Sequence, residues 1–357
     1  MKKKVLFVYD NLLHYRIPLF NLLGEYYDFT VIHSGEPLNN NENSFNELVY
    51  KSYKLGPFFL RPKIYKEIYS KKYDVILYNF DVRWILELFS LIFPPRKTKL
   101  ILWGAWLTKY NVSNKIRLFF LKRHNSLFYC HKSRMDFVDK GVDIKKTWVA
   151  NNTIKIEQRV ESYKYDKSII LFIGTLNSRK QNNVLLQTFS NIVKDIPDYI
   201  RLVFIGEGCE INELQNLTRK LKLEDRVNFT GQINDTNQLS NYYKKSIVNV
   251  SFGQAGLSVL QSFGFGVPYL TKYNAVSGGE ITNIKHEFNG LFCEDDSNSL
   301  AESLKILCND IKYARTLGEN AFNYYTDFCT INNMVQGFKD AIEGTRLALI
   351  DEDEFKY

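Results

Sequence analysis

The sequence predicts an α/β protein built from two Rossmann-like domains. At 357 residues the chain is too long for one ordinary core and suits two domains of roughly 150 to 180 residues each. Short β-branched runs alternate with helical patterns along the chain, which indicates parallel sheets with right-handed crossovers. A hydrophobic content of 45%, with 15% aromatic residues, is typical of a globular protein.

The domain boundaries are predicted from shifts in pattern along the chain. Residues 1–150 form the first domain, 151–167 a linker without clear periodicity, and 168–325 the second domain. Residues 326–357 form a helical segment that can pack back on the first domain. Strands are predicted at 4–9, 29–33, 74–78, 99–103, 126–130 and 147–149, and then at 169–173, 201–205, 227–230, 247–251 and 269–271. Between them, 64–72 is predicted to be helical and 37–52 to be a mobile surface loop.

The charge is divided unevenly between the two halves. Residues 1–165 contain 28 Lys and Arg against 15 Asp and Glu, a net +13, whereas the remainder contains 19 against 24, a net −5. A basic first half favours an anionic partner such as a lipid surface or a phosphorylated acceptor. A solvated basic surface that binds no partner explains the charge equally well. The five cysteines are scattered without paired spacing, which favours a reducing cytoplasm.

The segment 247–292 carries the strongest local signal. A β-branched run is followed by two glycines, Gly253 and Gly256, and then by apolar residues at helical spacing. A strand, a glycine loop and a helix N-terminus in this order form an anion site, because backbone N–H groups and the helix dipole point into the loop. The alternative is that the glycines only turn the chain. A second glycine loop at 277–280 is predicted at the same sheet edge, which favours the anion site.

A basic and aromatic stretch at 109–123 has two interpretations. Basic residues alternate there with Ile, Leu and Phe, as in segments that lie in the headgroup layer of an anionic membrane. The alternative is a helix that packs Leu118 and Phe119 into the core with its lysines outside. The first interpretation places the protein at the inner face of the cytoplasmic membrane as a peripheral protein. Its longest apolar runs fall short of the roughly 18 residues of a membrane-spanning helix.

The ordered set of signals resembles the GT-B glycosyltransferases, and within them glycosyltransferase family 4 (group 1). The matching stretches are LFIGTLNSRKQNNVLLQTF, LVFIGEGCEINEL, VNFTGQI, and GLSVLQSFGFGVPYLT followed by SGGEITNIKHEFNGLF. In the first half, HYRIPLF and LILWGAW resemble enzymes of bacterial surface-polysaccharide clusters. The resemblance covers most of the chain. It implies two Rossmann-like domains facing a central cleft, and transfer of a sugar from a UDP- or GDP-sugar to a saccharide or lipid-linked acceptor.

The resemblance also implies roles for individual residues. Lys180, with Arg179, is expected to neutralise the donor diphosphate, and Glu280 is expected near the donor sugar. No metal or other cofactor is expected, since these cations and a helix N-terminus can do the neutralising. The full set of predicted donor-binding residues is Gly174, Thr175, Arg179, Lys180, Gly231, Gln232, Gly253, Gln254, Gly256, Leu257, Ser258, Gln261 and Gly279.

The first half is expected to bind the acceptor. If the reaction inverts the anomeric centre, a general base is needed there, and Asp81, His14 and Asp10 are the candidates. If it retains configuration, no such base is required. Acceptor contacts are predicted for Tyr15, Arg16 and Trp103, together with Asp81. Each of these residues has a plainer interpretation as a loop or core residue.

The sequence departs from the family at three positions. Family 4 places glutamates eight positions apart where this chain has Gly253 and Gln261, and Thr175 stands where the family has a basic residue. The missing carboxylates motivate one alternative, a non-catalytic nucleotide-sugar-binding partner of another transferase. A sugar-nucleotide epimerase and a nucleic-acid-binding protein are further alternatives, and no motif supports nucleic acid. The pair Asp351 and Asp353 in the acidic tail is not assigned a metal.

Overall fold

The computed structural model describes residues 1–38, 43–108, 110–157 and 159–345. Several sequence predictions fall partly or wholly outside them: residues 39–42 of the predicted loop, Lys109 of the basic stretch, Gln158 of the predicted linker, the acidic pair Asp351 and Asp353, and the end of the segment 326–357. The described chain divides into two compact units. Among the described residues, unit 1 comprises Met1–Lys155 with residues 331–345, and unit 2 comprises Ile156–Thr330.

Unit 1 is built on a parallel sheet that has seven strands among the described residues. Their order is β3-β2-β1-β6-β7-β8-β9, so the order reverses between β1 and β6. Strands β4 and β5 form a separate antiparallel hairpin. The strands are β1 (Lys4–Val8), β2 (Asp28–His33), β3 (Asn46–Val49), β4 (Tyr53–Leu55), β5 (Phe58–Leu60), β6 (Val75–Asn79), β7 (Lys99–Trp103), β8 (Asn125–Phe128) and β9 (Thr147–Val149).

Helices cover both faces of this sheet. The helices of residues 1–155 are α1 (Ile17–Tyr26), α2 (Ile64–Ile68), α3 (Ile85–Ile92), α4 (Asn111–Leu121) and α5 (His131–Val138). Leu19, Phe20 and Leu23 of α1 pack on one face with Phe7 and Trp103. Helices α2 to α5 contribute to the core on the opposite face, which includes Leu91, Phe120, Leu121 and Phe137.

Unit 2 repeats the same plan with six parallel strands among the described residues. The order β12-β11-β10-β13-β14-β15 reverses between β10 and β13. The strands are β10 (Ile169–Ile173), β11 (Arg201–Ile205), β12 (Val227–Phe229), β13 (Ser246–Val250), β14 (Tyr269–Lys272) and β15 (Gly290–Cys293). The helices are α6 (Asn182–Ile192), α7 (Ile211–Lys220), α8 (Thr236–Lys245), α9 (Ser258–Gly264), α10 (Ser297–Asn309) and α11 (Ile311–Phe328).

The last described helix, α12 (Ile331–Glu343), belongs to unit 1. Met334, Phe338 and Ala341 are fully buried in the same core as α1. Lys99 Nζ donates to the carbonyl oxygen of Ala341 at 2.6 Å, which ties the helix to the start of β7. Residues 326–330 remain with unit 2, so the chain passes from one unit to the other between Thr330 and Ile331.

The two parallel sheets confirm the predicted α/β class, and three local predictions are wrong. Residues 46–49 form the edge strand β3, not a loop, because an edge strand with polar residues lacks the apolar alternation used to find strands. The helix predicted at 64–72 ends at Ile68. In the basic stretch Phe120 and Leu121, not Phe119, enter the core. Among the described residues, no helix combines the length and apolar character needed to span a bilayer.

Candidate functional site

The sheet of unit 2 reverses its strand order between β10 and β13, and the loops after these two strands are joined by hydrogen bonds. The Gly253 amide donates to the carbonyl oxygen of Lys180 at 3.0 Å. In return, Lys180 Nζ donates to the carbonyl oxygen of Gln254 at 3.2 Å. Open parallel sheets bind ligands at the carboxyl edge where the order reverses. The predicted residues of these two loops therefore lie at one place, and it is the place where a ligand is expected.

Lys180 is the cation of this edge. A Cβ atom on Gly174 would lie 3.7 Å from Lys180 Cε, so the side chain runs along the glycine. The pKa of Lys180 is lowered to about 8, chiefly by burial and also by the charge of Arg179, with Glu280 partly offsetting both. A half-buried ammonium group with a lowered pKa is poorly solvated, and a bound anion would stabilise its charged form. Thr175 and Arg179, by contrast, are exposed.

Two glycines of the second loop have opposite surroundings. A Cβ atom on Gly253 would lie 2.2 Å from the carbonyl oxygen of Arg179, so no side chain fits there without a backbone shift. A Cβ atom on Gly256 would meet nothing within 4 Å. Gly253 therefore allows two loops to come into contact, whereas Gly256 leaves open space in front of α9. This close approach also explains in steric terms why position 253 has no glutamate.

Helix α9 begins directly after Gly256 and Leu257. Ser258 Oγ lies 2.7 Å from the hydroxyl of Tyr269 on β14. Burial raises the pKa of Tyr269 to about 12, so this phenol stays protonated at neutral pH. The predicted ribose contact, Gln261, lies on the same helix with its backbone amide donating to Leu257 at 3.0 Å. The Tyr269 hydroxyl thus holds the Ser258 side chain in place at the start of the helix.

The loop after β14 is attached to the glycine loop after β13. Backbone bonds join Ala255 to Val276 at 2.9 Å and Val276 to Gly253 at 3.0 Å. Beyond Val276, the buried carboxylate of Glu280 accepts from the Gly278 amide at 3.0 Å and from the Ser277 hydroxyl at 3.2 Å. These bonds position the predicted Glu280 and Gly279 beside the loop that contacts Lys180.

Gly231 and Gln232 lie farther along the same edge, after β12. The Gly206 amide donates to the carbonyl oxygen of Gly231 at 2.9 Å, and Gln232 Nε2 donates to Asn234 Oδ1 at 2.9 Å. A Cβ atom on Gly206 would lie 2.0 Å from the carbonyl oxygen of Gly174. The loop after β11 is therefore wedged between those after β10 and β12, and its role in aligning them was missed from the sequence.

Buried amide groups near Lys180 were also missed. Asn182, the first residue of α6, is 1% exposed, and both polar atoms of its side chain lack a hydrogen-bond partner within the described structure. Asn177 Oδ1 and Gln181 Oε1 share this condition. Unsatisfied buried polar atoms are rare and costly, so their concentration in one loop indicates a missing polar ligand or water. The run NSRKQNN is the sequence signal that could have identified them.

The corresponding edge of unit 1 is built from charged side chains. Asn79 Nδ2 donates to Asp10 Oδ2 at 3.3 Å, and burial, with Asp81 nearby, raises the pKa of Asp10 to about 6. Arg83 Nε donates to both carboxylate oxygens of Asp81, at 2.8 and 3.0 Å. Asp81 is thus paired with Arg83. Of the two carboxylates among the predicted bases, Asp10 is the more available.

The remaining predicted residues of unit 1 have different environments. His14 is exposed, with its ring centroid 5.7 Å from that of Tyr15. Arg16 is buried, bonds to Asn152 Oδ1 and places its guanidinium 5.1 Å from the Trp103 ring, itself fully buried. Arg16 and Trp103 are thus buried in the core of unit 1. Their predicted contact with the acceptor stays a prediction.

The sequence comparisons agree with this geometry. The family model described as glycosyl transferases group 1 matches residues 154–324, which include the whole edge of unit 2 described above. Over these residues the chain is similar to the group 1 glycosyl transferases. The match confirms the predicted family resemblance over these residues.

Two curated relatives of this chain are bacterial proteins. An uncharacterized glycosyltransferase of Haemophilus influenzae is 32% identical over 41% of this chain and 41% of its own length. An alpha-1,4-N-acetyl-D-galactosaminyltransferase of Campylobacter jejuni, whose name includes a PP-undecaprenol-linked saccharide, is 26% identical over 45% of this chain and 44% of its own. The alignments thus span less than half of either relative.

Solved structures confirm the GT-B fold over nearly all of the chain. Anabaena HepE in complex with UDP superposes with a TM-score of 0.76, covering 95% of this chain and 99% of that one at 16% identity. Within the described residues, no cluster of three or more His, Cys, Asp or Glu side chains is arranged to hold a metal ion. The expectation of a metal-independent reaction stays a prediction.

Proposed function

We propose that this chain transfers a sugar from a UDP- or GDP-sugar to a hydroxyl group of a saccharide or lipid-linked oligosaccharide in surface polysaccharide biosynthesis. One observation carries the proposal. The loops after β10 and β13 are bonded to each other where the strand order reverses, with the poorly solvated Lys180 beside the open space at Gly256. A diphosphate supplies the negative charge that such a cation lacks.

The chemistry follows from the charges involved. The bond between the anomeric carbon and the diphosphate oxygen breaks, and the nucleoside diphosphate leaves with one more negative charge. Lys180, with the amide groups at the start of α9, is positioned on unit 2 to stabilise that charge. The anomeric carbon bonds to the acceptor oxygen, whose proton passes to a base or to the departing phosphate. Asp10 of unit 1, with its pKa raised to about 6, suits a base that is ionised at neutral pH.

The names of the relatives support the choice of substrates. HepE was crystallised with UDP, and another HepE structure contains UDP and glucose, so UDP-sugars are the first donors to test. The Campylobacter relative is named for a PP-undecaprenol-linked saccharide, which supports a lipid-linked acceptor. The half-buried amides of Asn177 and Gln181, on either side of Lys180, are the groups that we expect to hydrogen-bond the donor.

A thermal shift panel with UDP, GDP, CMP and TDP and their sugar conjugates tests the donor site. A ligand that binds only the folded state raises the melting temperature by mass action. We expect a shift with UDP or GDP compounds that is abolished in Lys180→Ala. The matched control is Lys194→Ala, which removes an exposed lysine of the same unit and should keep the shift. Absence of a shift with every nucleotide contradicts the proposal.

A second candidate function is a non-catalytic partner that binds a nucleotide sugar. The observation that favours it is Gly253, whose contact with Arg179 excludes the family carboxylate. Release of nucleoside diphosphate from the bound donor, measured with and without a saccharide acceptor, separates the two. Nucleotide binding without any release over hours supports the partner function. Release that depends on acceptor supports the transferase.

A further inference from the structure

Helix α3 of unit 1 presents its apolar side to solvent. Ile85, Phe89 and Ile92 are 36%, 43% and 53% exposed, and Phe93 directly after the helix is 56% exposed. The side that faces the sheet contains Glu87 and Ser90, both buried, beside Leu91. A surface helix ordinarily buries its apolar stripe and exposes its polar one. Helix α3 therefore exposes large apolar groups on its outer side, while Leu86, Leu88 and Leu91 pack toward the core.

Helix α4 also exposes apolar groups on its outer side, while Phe120 and Leu121 pack into the core. Val112, Ile116 and Phe119 lie on one side at helical spacing and are all exposed, whereas Arg117 is buried. Ser113 accepts a hydrogen bond from Arg117 Nη1, so the inward guanidinium is satisfied locally. The exposed Arg123 places its guanidinium 3.6 Å from the Phe119 ring. Aromatic and aliphatic groups thus share this outer face with basic ones.

The two helices are neighbours. Helix α3 connects β6 to β7 and α4 connects β7 to β8, so right-handed crossovers place both on the same face of the sheet. Leu91 of α3 and Phe120 of α4 belong to one core cluster. His124, just after α4, lies 2.9 Å from the carbonyl oxygen of Leu91. The apolar sides of the two helices therefore form one surface, which we call the α3–α4 face.

The charge around this face has one sign. Residues 88–135 contain ten Lys and Arg and no Asp or Glu. Arg96, Lys97, Lys115, Lys122 and Arg123 are exposed. Lys and Arg beside apolar and aromatic groups fit the boundary between anionic headgroups and acyl chains, where each basic residue contributes about 1 kcal/mol. A second copy of this chain fits less well, since a two-fold interface would set these cations against one another.

We infer that the α3–α4 face docks on an anionic lipid bilayer, with Phe89, Ile92, Ile116 and Phe119 in the headgroup layer and the flanking Lys and Arg on the lipid phosphates. This goes beyond the proposed reaction and does not depend on it. Binding to vesicles requires neither donor nor acceptor, so the two proposals can fail separately.

Sedimentation of the full chain with vesicles tests the inference. Vesicles of phosphatidylcholine with about 30% phosphatidylglycerol are compared with pure phosphatidylcholine at low and moderate salt. We expect binding to the anionic vesicles that weakens with salt. The variant with Phe89, Ile92, Ile116 and Phe119 each replaced by Ser should partition at least tenfold less. The matched control replaces Ile306 and Phe328 of unit 2, which are 51% and 44% exposed, and should bind unchanged.

A charge variant tests the same face without altering its apolar groups. Lys122→Gln with Arg123→Gln should lower partitioning by about fivefold for each residue at low salt. Lys194→Gln with Lys312→Gln, exposed residues of unit 2, is the control. Melting temperatures establish that each variant is folded. Equal binding to neutral vesicles, insensitivity to the face variants, or a dimer that the serine variant dissociates in place of vesicle binding would overturn the inference.

Discussion

The two units share one strand order but fill the same position with different groups. In unit 2 the loops at the order reversal approach through glycines and backbone hydrogen bonds, with Lys180 as the central cation. In unit 1 the loops at the reversal between β1 and β6 contain Asp10, Asp81 and Arg83. The buried Arg61 donates there to the carbonyl oxygen of Tyr9 at 2.9 Å. The topology therefore determines where a site can form, and the loop residues determine whether backbone amides or charged side chains occupy it.

The units also differ in how their ion pairs are solvated. Arg61 and Glu87 of unit 1 are both buried, with Arg61 Nη1 3.8 Å from Glu87 Oε1 and the guanidinium 4.3 Å from the Trp84 ring. Burial raises the pKa of Glu87 to about 7. In unit 2, Lys272 pairs with a half-exposed Asp295 at 2.6 Å. Only the pair in unit 1 is fully removed from water, so unit 1 should respond more strongly to the loss of one partner.

The largest expected effect is therefore on unit 1. Arg61→Met leaves Glu87 buried without its cation and should lower the free energy of unfolding by about 3 kcal/mol, the lower end of the range because Glu87 can take up a proton. All four tryptophans, Trp84, Trp103, Trp106 and Trp148, lie in unit 1, so tryptophan fluorescence during urea unfolding reports this unit. Arg83→Gln, which breaks the exposed pair with Asp81, is the control and should cost about 1 kcal/mol at most. Equal costs for both variants contradict the comparison.

The next effect concerns the glycine contact of unit 2. Gly253→Glu should lower stability by about 2 to 4 kcal/mol, because its Cβ atom would lie 2.2 Å from the carbonyl oxygen of Arg179. It should also abolish the nucleotide-induced thermal shift, since Lys180 contacts the same loop.

Gly256→Ala is the matched control for that experiment. A Cβ atom at position 256 meets nothing within 4 Å. Melting without ligand should therefore show a free energy of unfolding within about 1 kcal/mol of that of the parent protein. The nucleotide shift should shrink if the open space is where the phosphates bind. A stable Gly253→Glu protein with an intact nucleotide shift would show that the loops are not held as described.

The units should respond to pH in opposite directions. In unit 1 burial raises the pKa of Glu87 to about 7 and of Asp10 to about 6, so the folded state holds protons that the unfolded state releases. The free energy of unfolding of unit 1 should fall as pH rises from about 4 to 7, by an amount on the order of 1 to 3 kcal/mol. In unit 2 burial lowers the pKa of Lys167 to about 7 and of Lys180 to about 8, so stability should rise with pH above 7.

Urea midpoints measure both responses. Tryptophan fluorescence at pH 5 and 7 follows unit 1, and far-UV circular dichroism at pH 7 and 9 follows both units. A fluorescence midpoint that rises between pH 5 and 7 would be inconsistent with the raised pKa of Glu87 in the folded protein.

The smallest effect is on nucleotide affinity. Because the pKa of Lys180 is about 8, raising the pH from 7.5 to 9 should weaken UDP binding roughly five- to tenfold as the free protein loses the charge. Lys180→Arg keeps a cation at all these pH values and should flatten the profile. Titration calorimetry with UDP measures both proteins. A parent affinity that is independent of pH excludes Lys180 as the titrating group.

Much of the fold could be predicted from the sequence, since buried parallel strands are near-continuous apolar runs and β1, β7, β10 and β13 all have that form. Strand β3 could not, because Asn46 and Glu47 on an edge strand carry no apolar signal. Helix α3 has no ordinary amphipathic signal either, since Ile85, Phe89 and Ile92 point outward. Local sequence patterns predict elements whose apolar residues are buried, and they fail where apolar residues lie on the surface.

For the candidate site, glycine positions and lysines were readable, but contacts between loops were not. Nothing at Gly253 alone reveals that the carbonyl oxygen of Arg179, 74 residues earlier, occupies its side-chain space. The burial of Arg16 and Trp103 was also hidden, because a polar loop residue and a strand-end aromatic both resemble ligand contacts until the packing around them is known. These failures share one cause, which is that long-range packing decides accessibility.

The contact at Gly253 also constrains how this chain can change over evolutionary time. A carboxylate cannot be introduced at position 253 by a single substitution without displacing the backbone at Arg179. The loop after β10 would first have to accept insertions, deletions or substitutions that move that carbonyl group. The order of mutational steps is then set by sterics, since the backbone must move before any side chain fits at position 253.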